Sequence, residues 1–166
     1  VRETGVTDSR LAAVLRRCQD LPGQQLFEYI DPDGEPHEVN SEGVNEYVRR
    51  AAGDQSFSAK DFRTWAATVL AFRALQTAER PVEAAEARQT VVSAVQATAE
   101  RLGNTPAVAR QSYVHPTVLK AYLATGGVPA AFASLRRAIP ALAPPTPAEE
   151  ASLLKLLRAR RPTAGR

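Results

Sequence analysis

The sequence predicts a mainly α-helical fold with one small β-hairpin, and three observations carry that expectation. Apolar residues recur at helical spacing along most of the 166 residues. Helix stop and start residues fall between these stretches. Only Gln25 to Val39 alternates with period two around a turn.

The elements follow in chain order. Leu11, Val14, Leu15 and Cys18 form the stripe of an amphipathic helix that ends before Pro22-Gly23. Leu-Phe-Glu-Tyr-Ile, then Asp-Pro-Asp-Gly, then Glu-Pro-His-Glu-Val reads as a hairpin. Ser41 is expected to cap a helix with the stripe Val44, Tyr47, Val48 and Ala51, closed by Gly53. The next helix is the best specified. Ser58 suits the N-cap with Asp61 at N3, and Phe57 with Phe62 matches a hydrophobic staple. Phe62, Trp65, Val69 and Phe72 continue its buried face, and Phe57 joins them as core.

Pro81 is expected at the first position of a long Ala/Val-rich helix that Leu102-Gly103 closes. Thr105-Pro106 starts a short helix that His115-Pro116 interrupts. Helix then resumes from Pro116 to Thr125, and again from Pro129 to Ile139. Thr146, Pro147 and Glu149 cap a final helix carrying Leu153, Leu154, Leu156 and Leu157. The domain reading is a helical core over 1–139 that carries the tyrosine discussed below, a Pro-rich linker over 140–147, and a C-terminal helix with a basic tail over 148–166.

Composition narrows the function. Apolar residues make up 44% and charged residues 23%, which suits one domain with a single core rather than a disordered chain. The first residues carry charges throughout and no long apolar window occurs, which argues against a secretory leader and a membrane span. A single cysteine, Cys18, allows no internal disulfide, so a reduced, cytoplasmic and nucleoid-associated protein is expected. Methionine is absent, consistent with an excised piece, with removal of an initiator, or with a valine-coded start.

The last fourteen residues hold Lys155, Arg158, Arg160, Arg161 and Arg166 without an acid. Residues 1–152 therefore count 21 − 5 = 16 basic against 18 acidic groups, and the whole excess of +3 resides in the tail. One cysteine and two histidines make no zinc site, and neither a Gly-rich phosphate loop nor a serine elbow is present. The adjacent carboxylates Glu149 and Glu150 open a helix, where its dipole favours them, so acid–base hydrolysis is not indicated.

Two segments remain, Lys60-Asp-Phe-Arg-Thr-Trp65 and Leu102-Gly-Asn-Thr-Pro-Ala-Val-Ala-Arg-Gln-Ser-Tyr-Val-His-Pro116. Both resemble segments of the catalytic domain of the type IB DNA topoisomerases of bacteria and poxviruses. In that family an arginine, a His or Asn after a glycine, and a tyrosine nine residues later share one active site, and Arg63, Asn104 and Tyr113 occupy those places here. The resemblance implies the multi-helix fold shared by type IB topoisomerases and tyrosine recombinases. It implies Tyr113 as nucleophile, Arg63 as a clamp on the phosphate, Asn104 as a hydrogen-bond donor to it, and no cofactor or metal. Lys60 and Arg110 are candidate DNA contacts. The implied partners are duplex DNA and an N-terminal part of the same enzyme, with a monomer expected and no membrane.

The family site also has a further arginine and a lysine general acid, both upstream of the matched region. The hairpin here holds no lysine, so weak or no activity is expected until that segment is joined. Alternative readings are a noncatalytic DNA- or protein-binding helical module derived from this fold, and a tyrosine recombinase or integrase. The chain departs from the recombinase pattern at both His-X-X-Arg and Leu-Gly-His. Taken singly, Arg63 would be a solvated helix charge, Asn104 a cap residue and Tyr113 a packed ring. His115 reads as a turn residue and His37 as part of the exposed hairpin, outside the site.

Overall fold

The computed structural model describes residues 8–22, 25–79, 81–124 and 145–160. Among these residues it holds seven helices and one two-stranded antiparallel sheet, so the mainly α expectation with a small hairpin is met. The chain divides into two units, Val1–Ala59 and Lys60–Arg166. The expected helix over Pro129 to Ile139, most of the 140–147 linker and the basic end from Arg161 fall outside the described residues.

The first unit begins with α1, Ser9–Gln19, whose leading N–H groups from Arg10 and Leu11 are accepted by the Asp8 carboxylate. The hairpin follows as β1, Glu28–Ile30, and β2, Pro36–Glu38, with Tyr29 opposite His37. Its turn is organised by Asp31. The carboxylate accepts from the Asp33 and Glu35 N–H groups and meets His37 Nε2 at 2.8 Å, while Gly34 takes the left-handed φ of 88° that closes the turn. The Glu35 N–H first, and then the His37 side chain, hold the Asp31 carboxyl below the usual aspartate range.

Helix α2 spans Ser41–Ala52. Its N-cap is Asn40 and not the expected Ser41, because Asn40 is extended and its Oδ1 reaches the Gly43 N–H at 2.9 Å. Gly53 ends the helix at φ 67°, as expected. Among the described residues of this unit none is buried. The stripes of α1 and α2 are formed, but Val14 and Tyr47 remain exposed.

The second unit contains the core. It comprises α3, Ala59–Thr77, of which only the first residue belongs to the other unit; α4, Ala84–Leu102; α5, Pro106–Ser112; α6, Pro116–Ala124; and α7, Pro147–Ala159. Val69, Phe72 and Leu75 of α3 cluster with Val91 and Val95 of α4, Val118 and Tyr122 of α6, and Leu153 and Leu156 of α7. The middle of α3 is buried over most of its circumference, from Ala67 to Gln76, so it is the central helix and not a surface helix with one stripe. Trp65 packs on this cluster as expected. Phe62, at 67% exposure, and Phe57, at 44%, are not core, because burial along α3 sets in only beyond its first turns.

Pro81 does not open α4 as expected. It is buried ahead of the helix, which starts at Ala84 after the Glu86 carboxylate has captured the Val82 and Glu83 N–H groups.

Two acids at the start of α7 fasten it to α3. Glu149, fully buried, takes two hydrogen bonds from the Arg73 guanidinium, at 2.6 and 2.9 Å, and completes a capping box with Thr146. Glu150 accepts from Trp65 Nε1 at 2.7 Å. Burial acts to raise the Glu149 pKa, but the Arg73 bonds, the Thr146 N–H and hydroxyl, and the charge of Arg73 outweigh it, and the net shift is downward from 4.5. A depressed carboxylate stabilises the fold above its unfolded pKa, and that contribution is lost as pH falls through the folded value. Unfolding monitored by circular dichroism should therefore show stability declining as pH drops below about 4.5, and this acid-dependent loss should be smaller in Glu149→Gln. Arg73→Met should cost about 3–5 kcal/mol in urea unfolding, because it strands the buried Glu149, and the double change Arg73→Met/Glu149→Met should cost less than the single one.

Candidate active site

The start of α3 lies outside the buried stretch and carries Lys60 and Arg63, both exposed. Arg63 extends to the end of α4, where its Nη2 donates to the Leu102 carbonyl at 2.6 Å. That carbonyl is one of those a helix C-terminus leaves without an internal partner. The guanidinium carbon also stands 5.1 Å from the centroid of the Tyr113 ring, a cation–π distance. Arg63 and Tyr113, fifty residues apart in the chain, are thus brought together.

The turn after Leu102 places Asn104. Gly103 adopts φ 74°, its N–H bonds back to the last turn of α4, and the Asn104 N–H reaches the Ala99 carbonyl at 2.9 Å. This is a Schellman closure in which glycine carries the left-handed residue and Asn104 follows it. The backbone of Asn104 is thereby fixed, and its side chain is not spent on capping. Its Nδ2 is buried and finds no acceptor among the described residues, an arrangement that a native fold rarely keeps without a use.

Thr105 then caps α5 through its hydroxyl, with Pro106 in the first turn. Tyr113 is the C-cap residue of α5, half-buried, at the point where the chain turns toward α6. Next to it Val114 is buried, and the exposed His115 accepts the Thr117 N–H at Nδ1, the turn role expected of it. Arg110 is exposed on α5. Among the described residues no cluster of His, Cys, Asp or Glu could hold a metal ion, and no helix is long and apolar enough to cross a membrane.

Two features escape a reading of the sequence. Thr68, at 2% exposure, joins the tyrosine segment to α3 through its hydroxyl. Nothing in its position distinguishes it from a helix-surface threonine. Arg73 is the buried partner of Glu149, and here a signal exists, the one charge in the run Ala66 to Leu75, whose other residues are apolar except Thr68. Replacing Gly103 by alanine should cost about 1–2 kcal/mol through the left-handed φ alone. This is readable as a lower urea midpoint at unchanged slope, with the amide signal of Asn104 displaced.

Comparisons with known proteins identify the family. A family model described as the catalytic core of eukaryotic DNA topoisomerase I matches residues 3–126, a span that includes Arg63, Asn104 and Tyr113. The DNA topoisomerase 1B of Acanthamoeba polyphaga mimivirus is 31% identical over 115 residues, covering 65% of this chain and 34% of that protein. The chain therefore spans about a third of the length of that relative. With most of its residues matched to that catalytic core, the chain belongs to the type IB DNA topoisomerase family.

Proposed function

We propose that the chain is the tyrosine-bearing part of a type IB DNA topoisomerase, which relaxes supercoiled duplex DNA by cutting and rejoining one strand. The observation that carries this reading is the Arg63 guanidinium held 5.1 Å from the Tyr113 ring, within a chain that matches the family's catalytic core.

In the reaction the phenol oxygen of Tyr113 attacks a DNA phosphorus and gives up its proton. The bond to the 5′ oxygen breaks, and that oxygen takes up a proton. The resulting 3′-phosphotyrosyl link conserves the energy of the phosphodiester, so the free 5′ end rotates and then reattacks without nucleotide hydrolysis. The nonbridging oxygens gain negative charge on the way. A guanidinium presents five N–H donors in a planar fork, and Arg63 commits one of its nitrogens to Leu102, leaving donors for the phosphate. The Nδ2 of Asn104 supplies a neutral donor with no competing protein acceptor among the described residues. The further arginine and the lysine general acid of this chemistry are assigned to an upstream segment, and without a general acid the rate falls roughly 10²- to 10⁴-fold.

Relaxation of supercoiled plasmid in EDTA tests the reading. The chain joined to the upstream segment should relax plasmid, Tyr113→Phe should abolish relaxation, and Arg63→Lys should slow it by roughly 10²- to 10³-fold. Equal relaxation by wild type and Tyr113→Phe would refute the assignment.

A further inference from the structure

We propose that Thr68 is a positioning residue, a latch that holds the Tyr113–His115 junction against the helix bearing Arg63. The proposal rests on the functional reading of Tyr113 and Arg63 given above. Thr68 lies five residues after Arg63 on α3 and is 2% exposed. Its Oγ1 is 3.1 Å from the Tyr113 carbonyl oxygen and 2.8 Å from the Thr64 carbonyl oxygen, and it accepts the His115 N–H at 3.2 Å. A hydroxyl has one proton and two lone pairs. The proton is therefore shared between the two carbonyls, while a lone pair takes the amide.

The junction needs such a partner. Helix α5 ends at Ser112 and α6 begins at Pro116, so the Tyr113 carbonyl and the His115 N–H fall in the break between two helical ladders. The Tyr113 and Val114 N–H groups are already satisfied by the Ala109 carbonyl. Thr68 bonds the Tyr113 carbonyl and the His115 N–H, which flank Val114, and Val114 itself enters the core. Fixing the Tyr113 carbonyl orients the peptide that follows it, and with it the direction in which the ring leaves the backbone. Arg63 and Thr68 thus act on the same tyrosine from one helix, the first at the ring and the second at the main chain.

Thr68→Val keeps the size and branching of the side chain but removes the polar tie, whereas Thr68→Ser keeps the hydroxyl. In the 166-residue chain, hydrogen exchange of the His115 amide followed by NMR should be at least roughly tenfold faster in Thr68→Val and near wild type in Thr68→Ser. Unchanged exchange in Thr68→Val would overturn the latch. With the upstream segment supplied and DNA saturating, the single-turnover rate of covalent adduct formation should fall roughly tenfold in Thr68→Val at unchanged DNA affinity, and recover in Thr68→Ser. An unchanged rate in Thr68→Val, or an equal loss in both variants, would overturn the positioning role. Absence of any adduct from the wild-type protein would refute the functional reading instead, and amide exchange alone would then decide the latch.

Discussion

The candidate site depends on how α3 is buried. From Ala67 to Gln76 the helix is buried over most of its circumference, and its apolar residues cluster with those of α4, α6 and α7; a helix so buried cannot rotate or slide without opening the core. Its first turns are the free end of the same rigid rod. Arg63 occupies that end, and its distance to the Tyr113 ring is set by packing deeper in the unit. The Arg73–Glu149 pair and the Trp65–Glu150 bond add two polar ties between α3 and α7, so the element placing the arginine is fixed by directional contacts as well as by apolar area.

The tyrosine is handled differently. It lies at a helix end, between a short helix and a proline that starts the next, where the backbone is held by a few named bonds and not by a continuous ladder. Under the proposed role of Tyr113 as nucleophile, such a place suits a side chain that reaches a phosphorus and later releases it. Asn104 follows the same logic in another form. The Schellman turn at Gly103 spends backbone groups on closing α4 and leaves the side-chain Nδ2 without an acceptor among the described residues.

The sequence made much of this legible, and the reasons for the remainder are physical. Caps and breakers carry local information, so the α5 and α6 boundaries and the Gly53, Gly103 and Thr146 ends are readable from residue type. Local rules fail where neighbours compete. Asn40 outreaches Ser41 for the same helix start, and Glu86 sets the beginning of α4 in place of Pro81. Phe62 has the spacing of a core residue but precedes the stretch of α3 that the other helices cover, a fact of tertiary packing that periodicity does not contain. Arg63, Asn104 and Tyr113 stand out as candidates only through the resemblance of two short segments, because each residue alone has an ordinary structural role. Thr68 could not be found that way. Its importance lies in bonds to residues 45 and 47 positions away.

The central claim is that Tyr113 is the atom source of a covalent bond to DNA. The sequence offers a clean readout, because Tyr113 is the only tyrosine between Arg110 and Lys120, so a tryptic peptide Gln111–Lys120 isolates it. A reaction of the chain joined to the upstream segment with duplex DNA, quenched in denaturant, digested with nuclease and trypsin and examined by mass spectrometry, should yield that peptide carrying a nucleotide through a phosphodiester to the phenol oxygen. A trapped covalent adduct attached at any other residue, with Gln111–Lys120 unmodified in that adduct, would contradict the account.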